Sequence, residues 1–366
     1  MIALLEEVVN IDSGSYDKPG VDAVVARFAR FFSEHGIETT TIANERFGDA
    51  LKAFVPGGGG GNEPIVLMGH CDTVFPKGEV ARRPFRIEDG RATGPGVCDM
   101  KAGLVMNAFV LAGWHACGGA ARPLLGLFTS DEEIGSPACR PLIEATAREA
   151  RAVLNSEPGR PSGNVVTGRK GGVFMGLEVT GKAAHSGGNF AEGISAIGEL
   201  AHKIVALHAL TDLERGITLN VGLVRGGQSV NTVAPLAEAE IDLRYVTPDQ
   251  RAEAMGKIEA IVAHATVPGA SARLWIKGEF YPLVQDEGSK ALFSDYAEAA
   301  REAGLAVAGE FAGGCADSGF TASVGCPTLC AVGPVGGNAH SPQEWMAVDS
   351  IVPRAQAMAR TVARIG

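Results

Sequence analysis

The sequence predicts a two-part α/β fold: a mixed sheet flanked by helices, interrupted by a smaller inserted domain. Three observations carry that expectation. A chain of 366 residues is too long for one ordinary domain and long enough for two. Its first portion alternates short apolar runs of strand length with helix-spaced segments, a rhythm that favours a helix-flanked sheet. Its middle portion changes rhythm, and the first pattern resumes towards the C-terminus.

Taken in order, "MIALLEEVVNIDSGS" lacks the basic start and the apolar length of a signal peptide and reads as a first amphipathic helix of the mature protein. Val21 to Phe32 has helical spacing, "ALKAFV", "IVLMGH" and "PLLGLFTS" read as strands, and Ala102 to Ala112 as a helix among them. The glycines Gly57 to Gly61 lie between two strand candidates. No Gly-Lys-Ser/Thr follows and no helix starts there, so the run is expected to be a flexible hairpin tip rather than a phosphate loop.

The middle portion begins with the strand "GVFMGLEVTGK" and a helix over 194–210. Strands "GITLNVGLVRGG" and "AEAEIDLRYV", the helix "PDQRAEAMGKIEAIVAHA" and the strand "SARLWIKGEF" complete it. That order, β-α-β-β-α-β, is the split ferredoxin-like pattern. It places an inserted domain at 168–280, leaving 1–167 and 281–366 as the other domain, with a helix at 288–303 and the strand "PTLCAVG".

Composition narrows the function. The net charge is −10 with no block of Lys or Arg, which argues against nucleic acid or an anionic membrane surface as partner. No stretch of 18 uninterrupted apolar residues exists, so no membrane span is expected. Seven cysteines without metal-type clustering fit reduced thiols and a cytoplasmic location.

The chemistry sits at strand and loop ends. "PIVLMGHCDTVF" ends a core strand on His70 and Asp72, "GPGVCDMKAG" sets Asp99 in a glycine-flanked turn, and "LLGLFTSDEEIGS" ends on Asp131, Glu132 and Glu133. "AVLNSEPGR" ends on Glu157, and "VGGNAHSP" places His340 in a tight loop. Strand ends of one polarity line the ligand crevice of an open α/β sheet. Carboxylates and imidazoles converging there are costly without a cation, and this donor set suits zinc, with manganese or cobalt as alternatives. Each piece also has a structural reading: His70 and Asp72 as a hydrogen-bonded pair, Asp99 as a helix cap, Glu132 and Glu133 as the start of a helix.

Together "GHCDTV", "GPGVCDMKAG", "TSDEEIGS", "SEPGR" and "GNAHSP" resemble the ordered motifs of the co-catalytic zinc hydrolases, the family of glutamate carboxypeptidase, acetylornithine deacetylase and succinyl-diaminopimelate desuccinylase. The resemblance spans the chain and implies a zinc-exopeptidase-like catalytic domain with an inserted lid and dimerisation domain. It implies two zinc ions per subunit, His70 and Glu157 on one, Glu133 and His340 on the other, and Asp99 bridging. Asp72 would orient His70, and Glu132 would be the general base towards a metal-bridged hydroxide. By the same resemblance the Asp99–Met100 peptide is expected to be cis. The motif "GKAAHSG" implies that His185 supports the oxyanion in the partner subunit, while Asn231, Arg244 and Gly314 bind substrate. In "AGGCADSGF" the aspartate is expected to line the substrate pocket, and Cys315 departs from the family pattern and reads as a small buried residue. His35, His115, His202, His208 and His264 receive no role.

The function implied is metal-dependent hydrolysis of an amide beside a free carboxylate in a small peptide, in the manner of a glutamate carboxypeptidase, by a homodimer. The alternatives are an N-acyl-amino-acid deacylase of the acetylornithine deacetylase or desuccinylase type, and a non-catalytic metal- or ligand-binding relative.

Overall fold

The computed structural model describes residues 1–366, which separate into two compact units. One comprises Met1–Arg169, Leu283–Ala312 and Ala316–Gly366, the other Lys170–Pro282 with Gly313–Cys315. The short stretch containing Gly314 thus sorts with the second unit, although its neighbours in sequence belong to the first.

The larger unit is built on an eight-stranded sheet. From edge to edge its strands are Glu38–Ile42, Ala50–Val55, Leu124–Thr129, Ile65–His70, Ala152–Asn155, Thr328–Cys330, Val165–Arg169 and Gly309–Ala312. The four from Leu124–Thr129 to Thr328–Cys330 run parallel. Every residue of Ile65–His70 is buried, because parallel strands are covered on both faces and read as unbroken apolar runs. Helix Ala102–Ala116 is buried on nearly every side, as expected of a helix that is apolar all round. The stretch Val97–Ala116 is long and apolar enough to cross a membrane, yet 78% of its apolar window lies inside the unit, which makes it a core helix.

The sheet order corrects one expectation. Ala50–Val55 and Ile65–His70 are not partners, since Leu124–Thr129 lies between them, antiparallel to the first and parallel to the second. The glycine run is therefore a crossover rather than a hairpin tip. Gly58 and Gly60 donate to the carbonyls of Ala120 and Ala121, each at 2.8 Å, laying the run along the segment that leads into the intervening strand.

The second unit has the β-α-β-β-α-β order, in an antiparallel sheet of Thr218–Gly226, Leu236–Tyr245, Gly171–Thr180 and Ser271–Phe280. Burial alternates along Leu236–Tyr245, and the buried face packs with helices Ala196–His208 and Pro248–Ala263. Ser195 caps the first helix through Gly198 N–H, and Thr247 with Gln250 forms a capping box on the second. Between the helices, buried Lys203 donates to the carbonyls of Ile261, Val262 and His264 at 2.9, 3.0 and 2.8 Å, ending the second helix. Its charge stands 2.8 Å from the equally buried Glu199.

Lys203→Met should leave that carboxylate without its cation, held only by the N–H groups of Thr266 and Val267, and three carbonyls without their donor, a loss of roughly 3–5 kcal/mol. Hydrogen exchange read by mass spectrometry should show lost protection over 171–280 with 1–169 unchanged; undiminished protection would contradict the assignment.

Candidate metal centre

The parallel strands deliver their last residues to one edge of the sheet. His70 ends its strand in register with Thr129, so Asp131–Glu133 follow beside it, and Glu157 comes two residues after Asn155 on the other side. Asp99 arrives from the turn before helix Ala102–Ala116, and the Asp99–Met100 peptide is cis. Two glycines permit that approach. A Cβ on Gly69 would lie 2.2 Å from Met100 Cε, and one on Gly103 would lie 2.0 Å from the Ser156 carbonyl oxygen. His340 sits between the short strands Gly336–Gly337 and Trp345–Ala347, at a left-handed φ of 63°.

These residues converge on Asp99. Its Oδ1 is 3.3 Å from His70 Nε2 and its Oδ2 3.3 Å from His340 Nε2. His70 Nε2 also lies 3.7 Å from Glu157 and 3.8 Å from Glu132, while His340 Nε2 lies 3.1 Å from Glu133. Two sets could hold a metal ion, His70 with Glu132 and Glu157, and His70 with Asp99 and Glu133. The fit to a cation shows in unsatisfied atoms. His70 Nε2, Asp99 Oδ1, Glu133 Oε1 and Glu157 Oε1 are all buried without a hydrogen-bond partner, a costly condition unless something binds between them. His70 Nδ1 lies 3.0 Å from the Asp72 carbonyl, which can only accept, so Nδ1 carries a proton and Nε2 faces the cluster.

Protonation is strained in opposite directions. Burial, with Asp99 adding to it, lifts Glu133 and Glu157 each to about 7. Burial also raises Glu132 well above the usual carboxylate range, against the pull of His70. Burial acts upward on Asp99 too, but His340 and His70 outweigh it and hold that carboxyl low. Contacts with Asp99 and Glu133 raise His340 to about 10.

The triple Asp131-Glu132-Glu133 divides its labour. Asp131 accepts from Ala138 N–H at 2.6 Å and from Cys139 N–H at 3.3 Å, leading into helix Arg140–Arg148, and only the two glutamates face the cluster. Asp72 is wholly buried, and its carboxylate accepts from Ser15 Oγ at 2.7 Å and from Glu132 and Glu133 N–H at 3.1 Å each. Asp317 corrects an expectation: it is 2% exposed, bonded to the Ser136 and Thr129 hydroxyls and raised to about 8 by burial, so it does not line an open pocket wall. Glu344 was not anticipated. Its buried carboxylate accepts from Gly96, Cys98 and Asp99 N–H at 3.0, 2.8 and 2.9 Å, fixing the turn that carries Asp99.

The remaining expected residues belong to the second unit. His185 and Asn231 are exposed on adjoining loops, with Ser186 N–H donating to the Asn231 carbonyl at 3.0 Å. His185 Nδ1 accepts from Gly187 and Gly188 N–H, each at 3.1 Å, which leaves Nε2 to carry the proton. Arg244 donates to Asp242 Oδ1 and Cys315 Sγ, each at 2.8 Å, and its guanidinium lies 5.0 Å from the Phe174 ring centroid. Cys315 is half-buried and faces a charge, not the small buried filler expected. Gly314 is exposed.

The shifts fix a pH dependence. Carboxyls raised from 4.5 to about 7 keep protons in the folded, metal-free protein that the unfolded chain has released. Their stabilising contribution is full below 4.5 and is lost as pH rises through 7, and His340, raised from 6.5 to about 10, acts in the same direction at higher pH. Calorimetry of chelator-stripped protein should show Tm falling between about pH 5 and about pH 8, with added zinc restoring more of it at the higher pH. A Tm that rises over this range in stripped protein would contradict the assignment.

Comparison with known proteins gives the family. Residues 66–364 match peptidase family M20/M25/M40. Carboxypeptidase G2 of Pseudomonas sp. (strain RS-16) is 28% identical over 374 residues, spanning 100% of this chain and 89% of that protein. Acetylornithine deacetylase of Edwardsiella ictaluri is 27% identical over 385 residues, spanning 94% of this chain and 91% of that one. The fold is shared with an M20 family metallo-carboxypeptidase from Sulfolobus solfataricus, at a TM-score of 0.82 and 18% identity over 100% of this chain and 98% of that one. It is shared also with a tripeptidase from Staphylococcus aureus, at 0.79 and 20% over 100% and 97%. With the family match covering most of its length and its acids and imidazoles gathered around Asp99, this chain is a member of peptidase family M20/M25/M40.

Proposed function

We propose that the protein is a di-zinc carboxypeptidase of the glutamate carboxypeptidase type, cleaving the amide that joins a C-terminal amino acid to a small peptide or acyl group. The observation that carries this reading is the group of orphaned buried atoms around Asp99, with Glu132 beside them. His70 and Glu157 would hold one ion, Glu133 and His340 the other, and Asp99 both; cobalt or manganese would suit the same donors. Bound there, the ions would polarise the amide carbonyl and acidify water.

The chain's own groups do the rest. Asp72 keeps His70 in the tautomer that leaves Nε2 free and pins the backbone of Glu132 and Glu133 through one carboxylate. Glu132, whose carboxyl burial raises well above the usual carboxylate range, accepts the proton of the attacking water and passes it to the leaving amine nitrogen. Arg244 suits the free carboxylate of the substrate, since its planar fork gives paired charged hydrogen bonds. His185, with Nε2–H as a donor, suits the developing oxyanion, and Asn231 and Gly314 complete the substrate contacts. The second unit leaves Leu223 and Val224 more than half exposed on the edge strand Thr218–Gly226, and Val205 is 73% exposed on helix Ala196–His208. An apolar edge of that kind invites pairing, which supports a homodimer through this unit; light scattering should return twice the monomer mass.

N-acyl-amino-acid deacylation is the second reading, favoured by the acetylornithine deacetylase relatives. The deciding experiment is mass-spectrometric hydrolysis of a panel by zinc-, cobalt- and manganese-loaded protein: dipeptides and aroyl conjugates ending in Glu, Asp or neutral residues, with N-acetyl and N-succinyl amino acids. Preferential release of a C-terminal residue from peptides and aroyl conjugates supports the carboxypeptidase, and preferential deacylation of the acetyl and succinyl compounds supports the second reading. Glu132→Gln should bind metal normally yet turn over roughly 10²–10⁴-fold more slowly; near-wild-type turnover would remove Glu132 as the base.

A further inference from the structure

We infer that Cys315 is a positioning residue for Arg244, its sulfur completing a cradle that holds the guanidinium ready for the free carboxylate of the substrate. This deepens the proposed function and rests on its assignment of Arg244. Every member of the cradle lies in the second unit.

The cradle begins with strand register. Arg244 stands directly opposite Gly172 on the neighbouring strand, and Asp242 opposite Phe174, so the four share one face of the sheet. That face is the open one: Asp242, Arg244 and Phe174 are half-buried, while Leu243 and Tyr245 point into the core. An arginine on an open face ordinarily keeps many conformers. Here the residue opposite has no side chain to lie beside it. A Cβ on Gly172 would stand 3.3 Å from Arg244 Nη1 and 3.0 Å from Cys315 Sγ, so arginine and thiol share the space that a side chain at 172 would need.

Three contacts then fix the guanidinium. Asp242 grips only its near end, accepting from Nε at 2.8 Å. The Phe174 ring, whose centroid lies 5.0 Å from Arg244 Cζ, supports it from one face and is itself met edge-on by Phe280 at 6.4 Å between centroids. Neither contact holds the far end. Cys315, 71 residues further along the chain, does so by accepting from Nη1 at 2.8 Å. Nη2 has no partner in the protein and is not buried, so its two N–H groups stay open to a carboxylate. Ordering a free, rotamer-rich side chain on binding weakens a ligand by roughly three- to tenfold, and an arginine already held is spared that loss. Cys315 thus acts on the substrate through Arg244, by setting where Nη2 points.

The test measures Kd of N-benzoylglutamate and of its α-carboxamide by calorimetry, on zinc-loaded protein carrying Glu132→Gln so that turnover does not intrude. Into this protein are introduced Cys315→Ala, Cys315→Ser, Arg244→Ala, and the pair Cys315→Ala with Arg244→Ala. The acid should bind more tightly than the amide, and Cys315→Ala should cut that preference by roughly three- to tenfold while the Kd of the amide stays the same. Cys315→Ser keeps an acceptor and should recover most of the preference. In Arg244→Ala the preference should collapse, and adding Cys315→Ala should change it no further, a coupling that lost packing alone does not produce. A preference that survives Cys315→Ala, or that Cys315→Ala lowers equally with and without Arg244, would overturn the inference and leave the hydrolase reading standing. A preference that survives Arg244→Ala would remove Arg244 from carboxylate binding and this inference with it. The expected pattern of Kd values, with no turnover of any panel compound by protein retaining Glu132, would support the cradle and remove the hydrolase reading.

Discussion

Asp99 stands between two imidazoles, 3.3 Å from each, and much of the larger unit is committed to holding it there. A buried carboxylate flanked by further buried carboxylates is among the least favourable arrangements a protein interior can hold. The backbone of Asp99, Glu132 and Glu133 is held in place by buried carboxylates. The Asp99 turn is clamped by Glu344, pressed against the strand of His70 where Gly69 has no side chain, and against the Glu157 segment where Gly103 has none. Glu132 and Glu133 hang from Asp72 by their N–H groups, and His70 is turned by the carbonyl of the same residue. Removing one of these supports would let the carboxylates move apart and relax their repulsion, which is why the supports have to be rigid.

How much of this was legible follows from the range of each interaction. The strand Ile65–His70 announced itself, because a parallel strand buried on both faces is an unbroken apolar run and a histidine at its end has no reason to be there for packing. Asp99 was legible from the glycines around it, and Glu157 and His340 from their positions after apolar segments. Glu344 was not. It acts on backbone groups up to 248 residues away, and a carboxylate that accepts from N–H groups leaves no trace in the sequence of the segment it holds. The nearest signal is its place four residues after His340, in the loop that leads into Trp345–Ala347.

The misread glycine run has a topological cause. Adjacent strand candidates in sequence are most often taken as partners, but here Leu124–Thr129, formed some seventy residues later, fills the place between them. The pattern of apolar residues gives each strand and says nothing of its neighbours. The same holds for Arg244, whose partners Asp242 and Phe174 share its sheet while Cys315 returns from a distant stretch. Asp317 was read as pocket lining from the glycines before it, yet those glycines and the aspartate fall in different units, and the carboxyl ends buried against Ser136 and Thr129.

The opposed protonation of acids and imidazoles is itself a consequence of a site built for something other than protons. A histidine whose Nδ1 donates to a carbonyl can offer its Nε2 lone pair only when uncharged, yet the surrounding acids raise His70 and His340 towards the charged form. Glu133 and Glu157, which need to be ionised to bind a cation, are lifted by burial towards the neutral form. Asp99 apart, which the two imidazoles hold ionised, the groups around the centre are drawn towards protons they would have to surrender to a metal. Arg169, buried at the end of its strand and exerting an attraction on Glu157, supplies one fixed positive charge, which does not offset the carboxylates that would then be ionised. A divalent cation bound among these groups would take the place of those protons and satisfy the carboxylates they leave ionised.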